Sequence, residues 1–256
     1  MPDYSTTILV LKKTKLGETD LIITGFTDEG RQVRAVAKGA RRPGSRLGVH
    51  LELYSETRVL LHRGRNLDIV TEASRLCGNE ACRADVLHSA GAAVIVELLD
   101  KVSADGDTEA RLFFLSREAL RCIGAVPAEG VALIAAATIL KVAAQLGFRP
   151  SLSECVCCGA PLGKGAGEEV AFSFAQGGVL CAECLLEVAQ EGYRTIDAAI
   201  IDWARILLAS RFSELEGYAT AKYQELGNTL LTFAREWLRH HLVGRLKSLD
   251  FLLSMG

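Results

Sequence analysis

Aromatic side chains are scarce, at 6% of 256 residues, so a hydrophobic core has to be aliphatic; the 49% hydrophobic content supplies that in quantity. The chain is long enough for two domains, or for one domain with a small inserted module. Long apolar runs are missing as well. The longest, Ala90 to Leu99 and Val131 to Ala144, contain Glu97 and Lys141, and both fall short of the roughly 20 residues a bilayer requires. No membrane segment is expected. Ile8-Leu-Val-Leu11 is followed rather than preceded by Lys12 and Lys13, with no small-residue cleavage site after it, which argues against an export signal and for a cytoplasmic protein.

Catalytic signatures are absent too. The stretch from Gly159 to Lys164 is one residue short of a phosphate-binding Gly-x-x-x-x-Gly-Lys-[Ser/Thr] loop and is followed by Gly165. There is no His-Glu-x-x-His, no Gly-x-Ser-x-Gly elbow and no convergent carboxylate pair, so an enzyme is not expected. Nor does the chain carry much net charge, at -2. That balance conceals an asymmetry: from Arg31 to Arg65 there are nine Lys/Arg against two Glu, a directed electrostatic footprint rather than general stickiness.

What is present starts with that basic stretch. Val36-Ala-Lys-Gly-Ala-Arg-Arg-Pro-Gly-Ser-Arg46 connects two strand-like segments and places Lys38, Arg41, Arg42 and Arg46 on a loop without an acidic residue. Gly39 and Gly44 let its backbone approach a phosphate closely. Arg34 shares strand parity with Lys38. Arg63 and Arg65 sit in the next basic turn, and Lys13, with Lys12 and Lys15, adds charge at the end of the first strand. Lys38, Arg41 and Arg42 are the foremost candidates. Phe26 and Tyr54 are the aromatic candidates for stacking on bases, with barrel core as the alternative, so binding should be led by the phosphate backbone, tolerant of sequence and sensitive to salt. The plainer alternative is a solvated charged loop.

Four of the eight cysteines form two C-x2-C knuckles, Cys155-Val-Cys-Cys158 and Cys181-Ala-Glu-Cys184, joined by a glycine-rich connector. Four thiolates complete a tetrahedral site with no open position, so one structural zinc ion is expected. Cys157 lies beside the first knuckle, while Cys77, Cys82 and Cys122 read as buried thiols.

Alternation predicts five strands, Thr6 to Lys15, Asp20 to Asp28, Arg31 to Lys38, Leu51 to Leu61 and Leu67 to Leu76, which suit an OB-type Greek-key barrel, with an SH3-like barrel nearly as good a fit. After Asn79 the period turns helical: a stripe from Glu80 to Val102, a helix capped by Asp107, a third from Pro127 to Leu146, a fourth capped by Thr195 over Ile196 to Phe212, and a last from Asn228 through Leu242. The fold class is thus α+β. Residues 1–78 are expected to form an OB-fold nucleic-acid-binding domain and 79–256 an all-α domain carrying the zinc module at about 150–190.

Val10-Leu-Lys-Lys-Thr-Lys-Leu-Gly-Glu-Thr-Asp20, Phe26-Thr-Asp-Glu-Gly30, Ala37-Lys-Gly-Ala-Arg-Arg42 and Gly244-Arg-Leu-Lys-Ser248 with Leu249, Phe251 and Leu252, together with the mid-chain cysteines, resemble the bacterial recombination mediators of the RecO family over nearly the whole chain. The resemblance implies a protein that binds single- and double-stranded DNA and anneals complementary strands. It implies three protein partners: RecR, the acidic and hydrophobic C-terminal tail of single-stranded DNA-binding protein (SSB), and, indirectly, RecA, which is loaded onto SSB-coated strands. It also implies a cytoplasmic, nucleoid-associated location. A tail site needs an apolar groove with one or two cations, for which the C-terminal helices offer Arg205, Arg211, Arg235, Arg239 and Lys247. His240 and His241 read as a helix-end cation and a surface residue. Two other readings compete: a zinc-ribbon transcriptional or RNA-binding adaptor, and a structural subunit whose basic loop meets an acidic protein.

Overall fold

The computed structural model describes residues 3–104, 106, 109–162, 169–188, 192–242 and 244–255. Asp107 and connector residues Gly163, Gly165 and Gly167 lie outside them. The chain divides into two compact units, Met1–Ala125 and Val126–Gly256. The strand-to-helix transition near 78/79 therefore falls within the first unit, and two helices belong with the barrel.

In the first unit, β1 (Asp3–Leu16), β2 (Asp20–Thr27), β3 (Gln32–Ala37), β4 (Glu56–His62) and β5 (Asp68–Cys77) close a barrel in the order β1-β2-β3-β5-β4. β3 pairs parallel to β5 and β1 closes antiparallel on β4. That Greek-key order is the OB type and settles the choice against an SH3-like barrel. Strand alternation sends Ile8, Val10, Leu21, Ile23, Val59, Leu61 and Val70 inward with the small Ala35 and Ala37, an aliphatic filling for a narrow barrel. Each fully buried Leu or Ile contributes about 1.5–3 kcal/mol.

The expected strand from Leu51 begins only at Glu56, because residues 51–55 turn instead, with Tyr54 at φ +71 and the Ser55 N–H donating to the Glu52 carbonyl, after a short helix. This α1 (Arg46–His50) is capped by Ser45, whose Oγ accepts from the Gly48 N–H at 3.3 Å, and its Leu47 and Leu51 plug one end of the barrel. A five-residue helix holding a glycine leaves no periodic signal. α2 (Val86–Val102), capped by Asp85 after a 3₁₀ turn at Glu80–Arg83, lies against β1 and β2. Gln32 Nε2 donates to the Asp100 carbonyl at 3.0 Å and to Ser103 Oγ at 3.2 Å, tying β3 to the end of α2. α3 (Arg111–Ala125) completes the unit.

In the second unit α4 (Val131–Gln145) follows a 3₁₀ turn at Ala128–Gly130 and is almost wholly buried. Val131 to Ala144 is too short for a membrane, but by length and hydropathy 128–145 does qualify; 72% of it is buried, the environment of a core helix. Lys141 fits because its Nζ donates to the carbonyls of Leu208 at 3.2 Å and Ser210 at 2.6 Å, capping the C-terminus of α6 (Ala198–Ala209). α8 (Gln224–His241) crosses α4 where Gly227 approaches Leu133; a Cβ at Gly227 would lie 3.1 Å from the Leu133 nitrogen. The unit also holds a sheet that helical periodicity did not anticipate, with β6 (Glu169–Ser173) between β7 (Gly178–Val179) and β8 (Arg194–Asp197). Thr195 therefore lies in a strand, and Asp197 caps α6 by accepting from the Ala199 N–H at 2.8 Å. α5 (Ala182–Val188) lies between β7 and β8, α7 (Phe212–Leu215) follows α6, and α9 (Lys247–Leu253) ends the chain.

Candidate metal centre and nucleic-acid interface

The sulfurs of Cys155, Cys158, Cys181 and Cys184 lie within 4.8 Å of one another. Cys158 Sγ and Cys181 Sγ are 3.8 Å apart, which is about the edge of a tetrahedron with metal–sulfur bonds of roughly 2.3 Å. The backbone builds this from two turns. At the first, the Cys155 N–H donates to the Ala160 carbonyl and the Gly159 N–H to the Cys155 carbonyl, both at 2.8 Å, with Gly159 at φ +71 where a side chain would be strained. At the second, Cys181 precedes α5 and its sulfur accepts from the Cys184 N–H at 3.5 Å. Burial opposes ionisation of Cys155, yet backbone N–H groups of Cys158, Cys181 and Cys157 donate to its sulfur and draw its pKa down to about 6. The four donors fit a thiophilic metal ion in a closed, structural site.

Cys157 stays outside the quartet; its exposed thiol donates to Gln176 Oε1 at 2.9 Å. Cys82 and Cys122 are buried as expected, but Cys77 is exposed at the end of β5. The metal module is anchored by Arg205, a candidate for the apolar groove, and by His241, expected at the helix end or surface. Arg205 Nε donates to the Leu152 carbonyl at 2.9 Å, and a ring nitrogen of His241 bonds the Phe174 carbonyl at 2.6 Å. Phe172 packs edge-on against Phe174, Phe233 and Trp237.

On the barrel, the basic loop runs from the end of β3 into α1. Lys38, Arg42 and Arg46 are exposed, and none has an ion-pair partner among the described residues. Arg34 is exposed on the outer side of β3, and Arg65 is exposed in the β4–β5 turn. Two candidates are otherwise engaged. The Arg41 guanidinium donates to the carbonyls of Gly17 at 3.2 Å and Glu18 at 2.8 Å, and Lys13 pairs with Glu52 at 2.8 Å. Lys13, Lys15, Arg41 and Arg42 nonetheless line one shallow groove beside α1, with Val49 at its edge. Lys15 is thereby drawn into the site. Arg63 instead lies with Arg34 and Arg31 in a groove at the other end of the barrel, its guanidinium 5.3 Å above the Tyr4 ring. Tyr4 OH donates to Asp68 Oδ2 at 2.5 Å; burial and that carboxylate push its pKa up to about 12.

Neither stacking candidate is available to a base. Phe26 is fully buried, and Tyr54 is buried with its hydroxyl on the Ser89 carbonyl at 3.3 Å. Asp20 faces the loop, with its pKa held below the usual carboxylate range by the Gly39 N–H and the Thr19 hydroxyl, with smaller help from Arg42 and Lys38.

A second cationic concavity lies in the other unit, where Arg235, Arg239 and Arg245 surround Leu238, Leu246 and Leu249. Arg235 and Arg239 each approach the buried Glu236 at 3.6 Å. Of the five cations proposed for an apolar groove, these two meet one; Arg205 is committed to Leu152, and Arg211 and Lys247 do not line it.

Comparison with known proteins matches residues 1–76 to the family described as Recombination protein O N terminal and residues 83–250 to Recombination protein O C terminal. A protein from Roseiflexus sp. (strain RS-1) named DNA repair protein RecO is 37% identical over 181 residues, 71% of this chain and 62% of that protein. One of the same name from Desulfitobacterium hafniense (strain DSM 10664 / DCB-2) is 34% identical over 181 residues, 71% and 64% of the two lengths. Another, from Pelotomaculum thermopropionicum, is 30% identical over 260 residues, 99% of this chain and 94% of that one. The chain thus spans just under two thirds of the first two relatives and nearly all of the third.

Proposed function

The chain belongs to the RecO family of DNA repair proteins, and from that premise we propose that it is a non-catalytic recombination mediator that binds single- and double-stranded DNA and anneals complementary strands. The observation that carries this reading is the cationic loop of the barrel, where Lys38, Arg42 and Arg46 are exposed and make no ion pair with a described residue, with Lys15 lining the same groove as Arg42. Exposed, unpaired cations on a loop with no accessible aromatic side chain favour phosphates over bases, so binding is backbone-led and independent of sequence. Annealing follows from the same chemistry. Two strands repel through their phosphates, and cations that neutralise both at once lower the barrier with no covalent step.

In this reading residues 1–78 contact DNA and 79–256 meet protein partners. The groove of Arg235, Arg239 and Leu238 suits the acidic, hydrophobic tail of SSB, since two guanidiniums can meet a terminal carboxylate above a leucine floor. With RecR the protein then helps load RecA onto SSB-coated strands. It works in the cytoplasm at the nucleoid. The quartet of Cys155, Cys158, Cys181 and Cys184 holds one structural zinc ion; zinc is favoured because four thiolates in a closed site suit it and leave no position for water.

The reading is tested by annealing complementary labelled strands with the wild type and K38A/R41A/R42A. The variant should anneal more slowly; equal rates would contradict the proposal. A preference of the wild type for structured RNA over single-stranded DNA would favour an RNA-binding adaptor instead.

A further inference from the structure

Two blocks of sequence far apart in the chain, Gly17-Glu-Thr-Asp20 and Lys38-Gly-Ala-Arg-Arg42, meet in the barrel as one unit. Asp20 Oδ1 accepts from the Gly39 N–H at 2.8 Å and from Thr19 Oγ1 at 2.9 Å. The Arg41 N–H donates to the Thr19 carbonyl at 2.9 Å, and the Arg41 guanidinium to the Gly17 and Glu18 carbonyls. Between these ties Gly39 adopts φ +66, a left-handed conformation that suits glycine, and the Arg42 N–H closes a tight turn on the Gly39 carbonyl at 3.0 Å.

We propose that Asp20 is a positioning residue for nucleic-acid binding: with Thr19 it clasps the loop at Gly39, sets Arg41 as a strut against the Gly17 and Glu18 carbonyls, and thereby presents Lys38 and Arg42 to phosphate. This rests on the DNA reading above. The alternative role for a carboxylate beside two cations is simple cancellation of their charge, and the two roles predict opposite signs. If Asp20 only cancels charge, removing it strengthens binding to a polyanion. If it clasps, removing its acceptor weakens binding even though the site becomes more positive.

Three variants separate the roles. E18A removes a neighbouring carboxylate whose side chain takes no part in these bonds. D20N removes the charge and keeps an oxygen to accept from Gly39. D20A removes both. Affinity for single-stranded oligothymidylate should be equal to or above wild type for E18A and D20N, and roughly fivefold weaker for D20A, the scale of one lost hydrogen bond. D20A moving with the other two would overturn the proposal. Limited digestion with trypsin at Lys38 and Arg41 reads the clasp without DNA: D20A should be cut several-fold faster than D20N, and equal rates would overturn the clasp. Faster cutting of D20A in a protein that binds no DNA would uphold the clasp and overturn the DNA reading alone. If D20A does not fold, G39A strains the same turn from the other partner and should give the same pair of results.

Discussion

The barrel and the cysteine module solve the same problem, holding turns and loops in shape, by opposite means. Eleven buried residues form the barrel's core cluster, whereas the module's own cluster is Cys155, Leu180 and Cys184. The barrel can therefore carry a loop of exposed cations that is seated on its core through Ala40. Among the described residues the module's own cluster offers little apolar area to repay its conformational entropy, and two of the three buried residues in it are metal-ligand candidates themselves. Its remaining support comes from α6 and α8, through Arg205 and the ring cluster around Phe172.

Metal removal should break this contrast most sharply. Apparent binding energies for structural zinc are about 10–16 kcal/mol, so a strong chelator, or C158S/C184S, should abolish hydrogen-exchange protection across residues 169–188 and leave the barrel strands protected. Loss of protection in both regions would show that the barrel depends on the metal. The converse lesion is L61A. Its side chain is fully buried in the barrel, and truncation should cost about 2–5 kcal/mol in a denaturant titration with unchanged metal content.

The difference between the regions also explains what could be read from sequence. β1 to β5 were legible because each is an extended run of six or more residues, with turn chemistry at Glu29-Gly30 and Arg63-Gly64-Arg65-Asn66 between neighbours, and the knuckles were legible because C-x2-C spacing is a direct statement of metal geometry. α1 was not, since Leu47 and Leu51 give one helical spacing and no more. β6 and β8 pair in register from Glu169 with Asp197 to Phe172 with Arg194, a non-local match that neither segment announces. At the loop, charge was visible but its disposition was not. Only tertiary contact shows that Arg41 faces the Gly17 and Glu18 carbonyls and that Lys13 is matched by Glu52, while Lys38, Arg42 and Arg46 remain outward.

The smallest expected effect lies in acid. Because hydrogen bonds in the folded protein hold the Asp20 pKa below the usual carboxylate value, the clasp is fully formed above that value and weakens only as pH falls through the lower folded one. Exchange protection of the Gly39 amide should therefore survive to pH values where ordinary carboxylates are already protonated. Its disappearance in the ordinary carboxylate range would mean that the Asp20 bonds are weak in solution.

The central claim, that the barrel loop grips the phosphate backbone, is tested most directly by the salt dependence of binding to a single-stranded oligonucleotide, comparing wild type with K38A/R42A/R46A. Each phosphate contact on a single strand contributes about 0.7 to the slope of log affinity against log salt, so the variant should bind more weakly with a slope shallower by about 2. Superimposable lines for the two proteins would contradict the account and place the nucleic-acid contact elsewhere on the chain.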